Sequence, residues 1–335
     1  MSVPLILAAD VGGTKTWLRL GRFYQGEFET LREERFASAD YPRFEELLAR
    51  FLGSEGQSIA VACLGVAGPV EDGVCRTTNL PWRLEAKALS RQLGGAKVQL
   101  LNDLEAAAFG ILHLPEAQFV ELNPAAKPRL QAHRAVIAAG TGLGEALILA
   151  TGRGPVIVAT EGGHCDFAPL DAEQDSLLAW LRTRYPSHVS YERVLSGLGL
   201  VEIYRFLCAR YPEQENLELA CLTKTEDPAA VIGQLGVAKQ DALCYEALKW
   251  FARIYGAEAG NLVLKSLALG GLYVAGGIAP KILPILKEGW FMAGFAAKGR
   301  FRELLEKVPV KVVLNPKLVL IGAQAWALQR LLGAG

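Results

Sequence analysis

The chain has 335 residues, 51% of them hydrophobic and 21% charged, which is apolar content for more than one buried core. Lys plus Arg and Asp plus Glu both number 35, so there is no basic field to hold nucleic acid and no acidic tail, and a small molecule is the expected partner. The six cysteines, at 63, 75, 165, 208, 221 and 244, lack any Cys-x-x-Cys pair, which indicates neither a zinc ribbon nor a disulfide framework.

The apolar start, Val3 to Ala9, has no basic residues before it and meets Asp10, so it is too short for a signal peptide. After the turn Val11-Gly12-Gly13-Thr14-Lys15, the stretch Thr16 to Leu20 alternates as a second strand, and the two read as a hairpin closed by the glycines. The turn has the ingredients of a phosphate loop but fits neither familiar pattern. G-x-x-x-x-G-K-[ST] would need glycine at position 8 and lysine after Gly13, where the chain has Ala8 and Thr14. The dinucleotide pattern G-x-G-x-x-G fails because Gly12 and Gly13 are adjacent.

Ser58 to Val66 reads as a further strand, followed by Gly68, and Val98 to Leu101 as another that runs into Asn102-Asp103 and an alanine-rich helix, Leu104 to Leu112. Past a polar connector at 123–134, strand-turn-strand returns over Ala135 to Leu149 with Gly140-Thr141-Gly142 at the turn, an echo that suggests two related halves. Asp171 to Lys265 is mostly helical in pattern, with Leu243, Ala247, Phe251, Ile254 and Leu262 on one face. A strand at Leu272 to Ala275 leads into Gly276-Gly277 and a helix expected to begin near Pro280. Its neighbourhood, Ser266 to Pro280, is the longest uncharged run and is shorter than the ~20 residues of a membrane span, so no membrane association and a cytoplasmic location are expected. The tail from Leu318 to Leu332 is apolar and helical, and is expected to pack back on the first domain.

Three glycine-bearing turns thus stand at strand ends. Glycine lets backbone N–H groups approach an anion and threonine adds a hydroxyl, so each turn suits phosphate or a nucleotide sugar, although each also suits an ordinary tight turn. Asp10, just before the first turn, fits either a hydrated magnesium ion or an Asx turn. Asn102-Asp103 fits a helix N-cap; alternatively Asp103, ionised at neutral pH with an ordinary pKa of about 3.9, accepts a proton from a hydroxyl nucleophile while Asn102 bonds a polyol. In "TEGGHCDF", Glu161, His164 and Asp166 surround a glycine pair, an arrangement that suits sugar hydroxyls, a surface loop or, least well in the absence of a second histidine or cysteine cluster, a metal. Glu192 sits near a helix start, where the helix dipole favours it in any case.

In order along the chain, "DVGGTKT", "TTNLPW" at 77–82, "LNDLEAAAFG" at 101–110, "AAGTGLG" at 138–144, "EGGHCDFAP" at 161–169, "ERVLSGLGL" at 192–200, "VAGGIAPK" at 274–281 and "KGRF" at 298–301 resemble the bacterial-type glucokinases, sugar kinases of the hexokinase and actin-like ATPase superfamily. The resemblance implies an α/β fold of two RNase H-like domains flanking a cleft: a small domain, 1–112, completed by the C-terminal helix, 318–335, and a larger one, 113–317, with extra helices. It implies a first phosphate loop at Gly12, Gly13, Thr14 and Lys15, a second at Gly140, Thr141 and Gly142, and an adenosine motif at Gly276 and Gly277. It further implies Asp103 as catalytic base and Asn79, Asn102, Asp103, Glu161, His164 and Glu192 as sugar contacts, with Asp10 orienting Mg2+ through water. The expected activity is transfer of the ATP γ-phosphoryl group to the 6-hydroxyl of glucose by a homodimer. The alternatives are a hexokinase acting on mannose, glucosamine or fructose, a sugar sensor, for which the first hairpin leaves no room for a DNA-binding motif ahead of it, and an actin-like ATPase, which has no need of "EGGHCDF".

The broader ROK group of sugar kinases carries a zinc-binding cysteine cluster after its histidine, where this chain has only Cys165. Gly199 follows Leu198 where several relatives have proline, and Glu213 to Gln240 matches no pattern of the family.

Overall fold

The computed structural model describes residues 3–53, 59–77, 80–216 and 227–333. The chain divides into two compact units, Met1–Pro115 with Lys317–Gly335, and Glu116–Pro316.

In the first unit, β1 (Leu5–Val11), β2 (Lys15–Tyr24) and β3 (Glu27–Ala37) form an antiparallel meander. Parallel to β1 lie β4 (Ile59–Val66) and then β8 (Lys97–Asn102), so the sheet order is β3-β2-β1-β4-β8. The apolar run of β1 follows from burial on both faces. Ile6 and Ala8 enter one core cluster with Cys63 and Leu320, whereas Leu7, Ala9 and Val11 enter the other with Phe44 and Leu48. Helix α1 (Phe44–Leu52) supplies the second cluster by burying Phe44, Leu47, Leu48, Phe51 and Leu52, one stripe of a 3.6-residue period.

Three short strands, β5 (Val70–Glu71), β6 (Val74–Arg76) and β7 (Arg83–Glu85), make a separate small sheet and lead into α2 (Ala86–Gln92). Helix α3 (Asp103–Ile111) packs against the C-terminal helix, Leu318–Leu331. The approach depends on small residues: a Cβ on Gly322 would run into the Ala106 carbonyl, and one on Gly110 into Leu318.

The second unit repeats the plan. Strands β10 (Arg134–Ala139), β11 (Leu143–Thr151) and β12 (Gly154–Thr160) form the meander, and β13 (Gly271–Ala275) and β14 (Val310–Val313) run parallel to β10. A short antiparallel strand, β9 (Phe119–Glu121), extends the edge, giving β12-β11-β10-β13-β14-β9. Two units with one shared strand order are the RNase H-like, actin-like arrangement, and the echo between the two hairpins is an echo of topology.

The extra helices of this unit are α4 (Ala172–Arg184), α5 (Gly197–Arg210), Pro228–Val237 and the long Ala242–Ser266. Asp171, Ser196, Asp227 and Asp241 cap them with side-chain oxygens, as each is a short acceptor just before a helical run. The long helix lays Leu243, Ala247, Phe251, Ile254 and Leu262 into the core.

Two local expectations differ from the structure. Pro280 lies in a turn, and the next helix begins at Leu283 with Pro284 in its first turn, because Ile278 bonds back to Ala139 and holds the chain in a turn first. The eleven-residue β3, so charged that no alternation shows, is the outer strand of its sheet. An edge strand carrying charge resists pairing with other chains.

Candidate active site

In the first unit the register builds the site. Val11 lies beside Val66 and Val66 beside Asn102, so the turn at 12–14 and the pair Asn102-Asp103 emerge at the same, carboxyl end of three parallel strands. That end is where open α/β sheets hold ligands. Gly12 N–H donates to the Lys15 carbonyl at 3.0 Å, and a Cβ on Gly12 would stand 2.9 Å from the same oxygen. Ser38 braces the turn from behind: its hydroxyl donates to the Gly12 carbonyl (2.8 Å) and meets the buried Thr16 hydroxyl (3.0 Å), while its N–H donates to the Thr14 carbonyl (3.1 Å). Thr14 and Lys15 are exposed.

Asp10 is half-buried at the end of β1. Its pKa is pushed up to about 7, first by burial and then by the negative charge of Asp103, with Lys15 pulling the other way. Two carboxylates that repel each other favour a cation, so the donor set suits Mg2+. Among the described residues no group of three or more His, Cys, Asp or Glu could hold a metal ion unaided. Two carboxylates suit an ion that keeps most of its water shell.

Asn102 is both cap and clamp. Its Oδ1 accepts from Leu104 N–H at 2.9 Å, and its Nδ2 donates to the Gly68 carbonyl at 3.2 Å. Gly68, with φ +142°, is in a conformation that favours glycine, and Ala67 N–H donates to Val11 next to it. Asp103 is the first residue of α3, and its Oδ1 also takes the Leu104 N–H, at 2.9 Å. The capping alternative is thus what holds the carboxylate in place, and the helix N-terminus favours its charge. Asn79 lies outside the described residues; beside it, Thr77 Oγ1 donates to the Leu80 carbonyl and Trp82 Nε1 to the Tyr41 carbonyl.

In the second unit Gly140 N–H closes its turn onto the Gly142 carbonyl at 2.8 Å, and Gly197 N–H donates to the Gly140 carbonyl at 2.9 Å. Thr141 at its tip is exposed. Ala138 lies beside Ala275, so Gly276-Gly277 comes off the sheet next to this turn. Gly276, with φ +85°, packs so closely that a Cβ would strike the Ala139 backbone, while Gly277 is open.

Glu192 does sit near a helix start, though outside the first turn of α5. It lies in a short turn, Tyr191–Arg193, ahead of α5, whose N-cap is Ser196. Its Oε2 accepts from Leu143 N–H at 3.0 Å, and a Cβ on Gly142 would run into the carboxylate. Glu145 pairs with Thr160 across the hairpin, which sets the loop Glu161 to His164 beside the same turn. His164 Nδ1 is 3.9 Å from Glu161 and its Nε2 is 3.9 Å from Glu192. Neither spacing is a hydrogen bond, so the three exposed or half-exposed groups converge without satisfying one another. Asp166 does not join them and pairs with His188 at 2.8 Å.

A model of the glucokinase family matches residues 7–330. The chain belongs to the glucokinase family. Glucokinase from Synechocystis sp. PCC 6803 is 42% identical over 96% of this chain and 98% of its own length. The crystal structure of a glucokinase from an Antarctic psychrotroph, 30% identical, superposes with a TM-score of 0.82 over 98% of this chain and 100% of that one. A ROK family glucokinase from Streptomyces griseus, solved with glucose and AMPPNP, is 22% identical and shares the fold at a TM-score of 0.64 over 97% of this chain and 99% of its own.

Among the described residues, Cys63, Cys75, Cys165, Cys208 and Cys244 are unbridged. No described helix is long and apolar enough to cross a membrane. Sequence reasoning missed the Ser38 brace, which leaves no local mark.

Proposed function

We propose that this glucose kinase transfers the γ-phosphoryl group of ATP to the 6-hydroxyl of D-glucose, giving glucose 6-phosphate and ADP at the entry to glycolysis. The observation that carries the sugar assignment is the convergence of Glu161, His164 and Glu192 beside a glycine turn, since carboxylates and an imidazole with spare hydrogen-bonding capacity are what a polyol needs. Asn102 and Asn79 add amide contacts in this reading. The nucleotide assignment rests on family membership, on the AMPPNP held by a protein of the same fold, and on the paired glycine turns.

In the proposed reaction the 6-oxygen attacks the γ-phosphorus, the bond from that phosphorus to the β,γ-bridging oxygen breaks, and ADP leaves. Asp103 takes the hydroxyl proton, and Leu104 N–H with the helix N-terminus holds its carboxylate in one orientation. Gly12, Gly13, Thr14 and Lys15, and Gly140, Thr141 and Gly142, offer backbone, hydroxyl and ammonium donors to the phosphates, while Gly276 and Gly277 leave room for the adenosine. Asp10 would hold Mg2+ through water, and the ion would supply neutralising charge on the β- and γ-phosphates.

The test is ADP release at fixed ATP across glucose, mannose, glucosamine and fructose, with and without Mg2+. The reading expects the highest kcat/KM for glucose and no turnover without the ion. ADP release independent of sugar, or a preference for another hexose, would contradict it.

A further inference from the structure

The long helix Ala242–Ser266 and the "KGRF" stretch at 298–301 together hold a side-chain amide that the proposed reaction does not use. Glu258 on that helix is fully buried, with Lys265 at 3.5 Å to answer its charge. Its Oε2 accepts from Asn261 Nδ2 at 2.8 Å, and Asn261 Oδ1 accepts from Lys298 Nζ at 2.6 Å. The Lys298 stem lies close to the helix, since a Cβ on Gly260 would stand 3.0 Å from Lys298 Cε. A side-chain amide has one acceptor oxygen and two donor hydrogens. With an ammonium on the oxygen and a carboxylate on the nitrogen, the Asn261 amide has one orientation, and Nδ2 has one hydrogen left. That nitrogen also donates to the Tyr191 hydroxyl, at 3.0 Å.

Tyr191 stands at the junction of the two segments read as sugar-binding. Its N–H donates at 2.9 Å to the carbonyl of Cys165, which directly follows His164, and its own peptide continues into Glu192. Phe167 N–H donates to the Val189 carbonyl at 2.9 Å, and Asp166 pairs with Ser190 in an isolated antiparallel bridge, so backbone stitches the segments together. The Tyr191 ring is 2% exposed and meets the Phe167 ring edge to face, with centroids 5.7 Å apart. Across the junction His164 Nε2 and Glu192 Oε1 are 3.9 Å apart, a spacing that no hydrogen bond between them maintains. What holds the two backbones therefore sets it.

We propose that Tyr191, pinned through its hydroxyl by Asn261, is a positioning residue for glucose: it fixes the junction between the His164 and Glu192 segments to the long helix and so sets the spacing of the groups that receive the sugar. The inference rests on the reading that Glu161, His164 and Glu192 contact the sugar. Without the hydroxyl the ring stays buried and the chain folds, but the junction samples more than one placement. Glucose then selects the competent one, which weakens binding by the fraction populated and leaves turnover of the bound complex as it was.

The experiment measures kcat and the KM for glucose and for ATP, with melting temperatures, in the wild type, Tyr191→Phe, Asn261→Ala, their double variant and Glu161→Gln. Tyr191→Phe is expected to raise the glucose KM about five- to tenfold while kcat at saturating glucose and the ATP KM stay within about twofold. The ATP value holds because Leu143 N–H and Ser196 Oγ still bond Glu192. Asn261→Ala is expected to raise the glucose KM at least as much, and the double variant to add nothing further, since both single changes break one bond. A glucose KM within about twofold of the wild type in Tyr191→Phe, whether or not its melting temperature falls, overturns the proposal, as does a fall in kcat that matches the fall in kcat/KM. Single-variant rises that multiply in the double variant overturn it too. If Asn261→Ala does not fold, Tyr191→Phe decides alone by the same split. Glu161→Gln is expected to raise the glucose KM; no change there overturns the sugar reading itself, whereas a rise there beside an unchanged Tyr191→Phe overturns only the positioning role.

Discussion

The two hairpin turns occupy the same place in the same strand order, yet they are braced by different chemistry. The first, Gly12 to Lys15, is held by the neutral hydroxyls of Ser38 and Thr16. The second, Gly140 to Gly142, is held by a carboxylate, since Glu192 takes the Leu143 N–H. Counting back from the turns, Asp10 corresponds to Ala138, so the strand itself brings a charge to only one of them. A neutral brace adds no charge beside the first unit's two carboxylates, Asp10 and Asp103, which repel each other. In the second unit Glu192 both takes the Leu143 N–H and lies 3.9 Å from His164, so the turn and the proposed sugar cluster share one carboxylate.

The largest expected effect tests the charged side of this comparison. Asp103→Asn keeps the cap geometry but removes the proton acceptor, so kcat is expected to fall about 10²-fold or more with an unchanged circular dichroism spectrum. Turnover near the wild-type value would remove Asp103 from the role. Next comes the second brace. Glu192→Ala strips both the Leu143 contact and one sugar ligand, so KM for glucose and for ATP should both rise, glucose about tenfold or more. A change in the glucose KM alone would show that the turn stands without Glu192.

A smaller effect is expected in stability. The Asp10 pKa of about 7 lies above its ordinary 3.8, so between those values the folded chain keeps a proton the unfolded chain has lost, and stability falls as pH rises through that window. Without ligands, Asp10→Asn is therefore expected to melt a few degrees above the wild type at about pH 8, with the difference shrinking toward pH 4. An equal or lower melting temperature at pH 8 would contradict the burial of the Asp10 charge beside Asp103. The smallest change is Ser38→Ala, which leaves the Thr16 hydroxyl buried and the Gly12 carbonyl without its donor. It is expected to cost about 1 kcal/mol of stability and raise the ATP KM a few-fold, read by thermal melts and initial rates.

Much of this was legible where local chemistry and tertiary role coincide. Glycines at Gly12 and Gly140 mark turns because backbone must bend or approach there, and the apolar runs around them mark strands buried on both faces. Asn102 was readable as a cap, and the Leu104 N–H that it accepts also meets Asp103 Oδ1. The charged strand β3 hid because both of its faces are largely exposed, so no apolar alternation marks it. The start of the helix after Pro280 was misjudged because a bond from Ile278 to Ala139, far away in sequence, sets the turn. Glu192 looked like a dipole residue since only the fold shows Leu143 N–H beside it.

In the proposed reaction Asp103 takes the proton, and Glu161, His164 and Glu192 hold the sugar. Calorimetric titration of glucose into Asp103→Asn and Glu161→Gln, set beside their turnover, tests it most directly. The account predicts that Asp103→Asn binds glucose within a few-fold of the wild type while nearly losing turnover, and that Glu161→Gln loses affinity in proportion to kcat/KM. Loss of glucose binding in Asp103→Asn to the same extent as turnover, with affinity unchanged in Glu161→Gln, would contradict it.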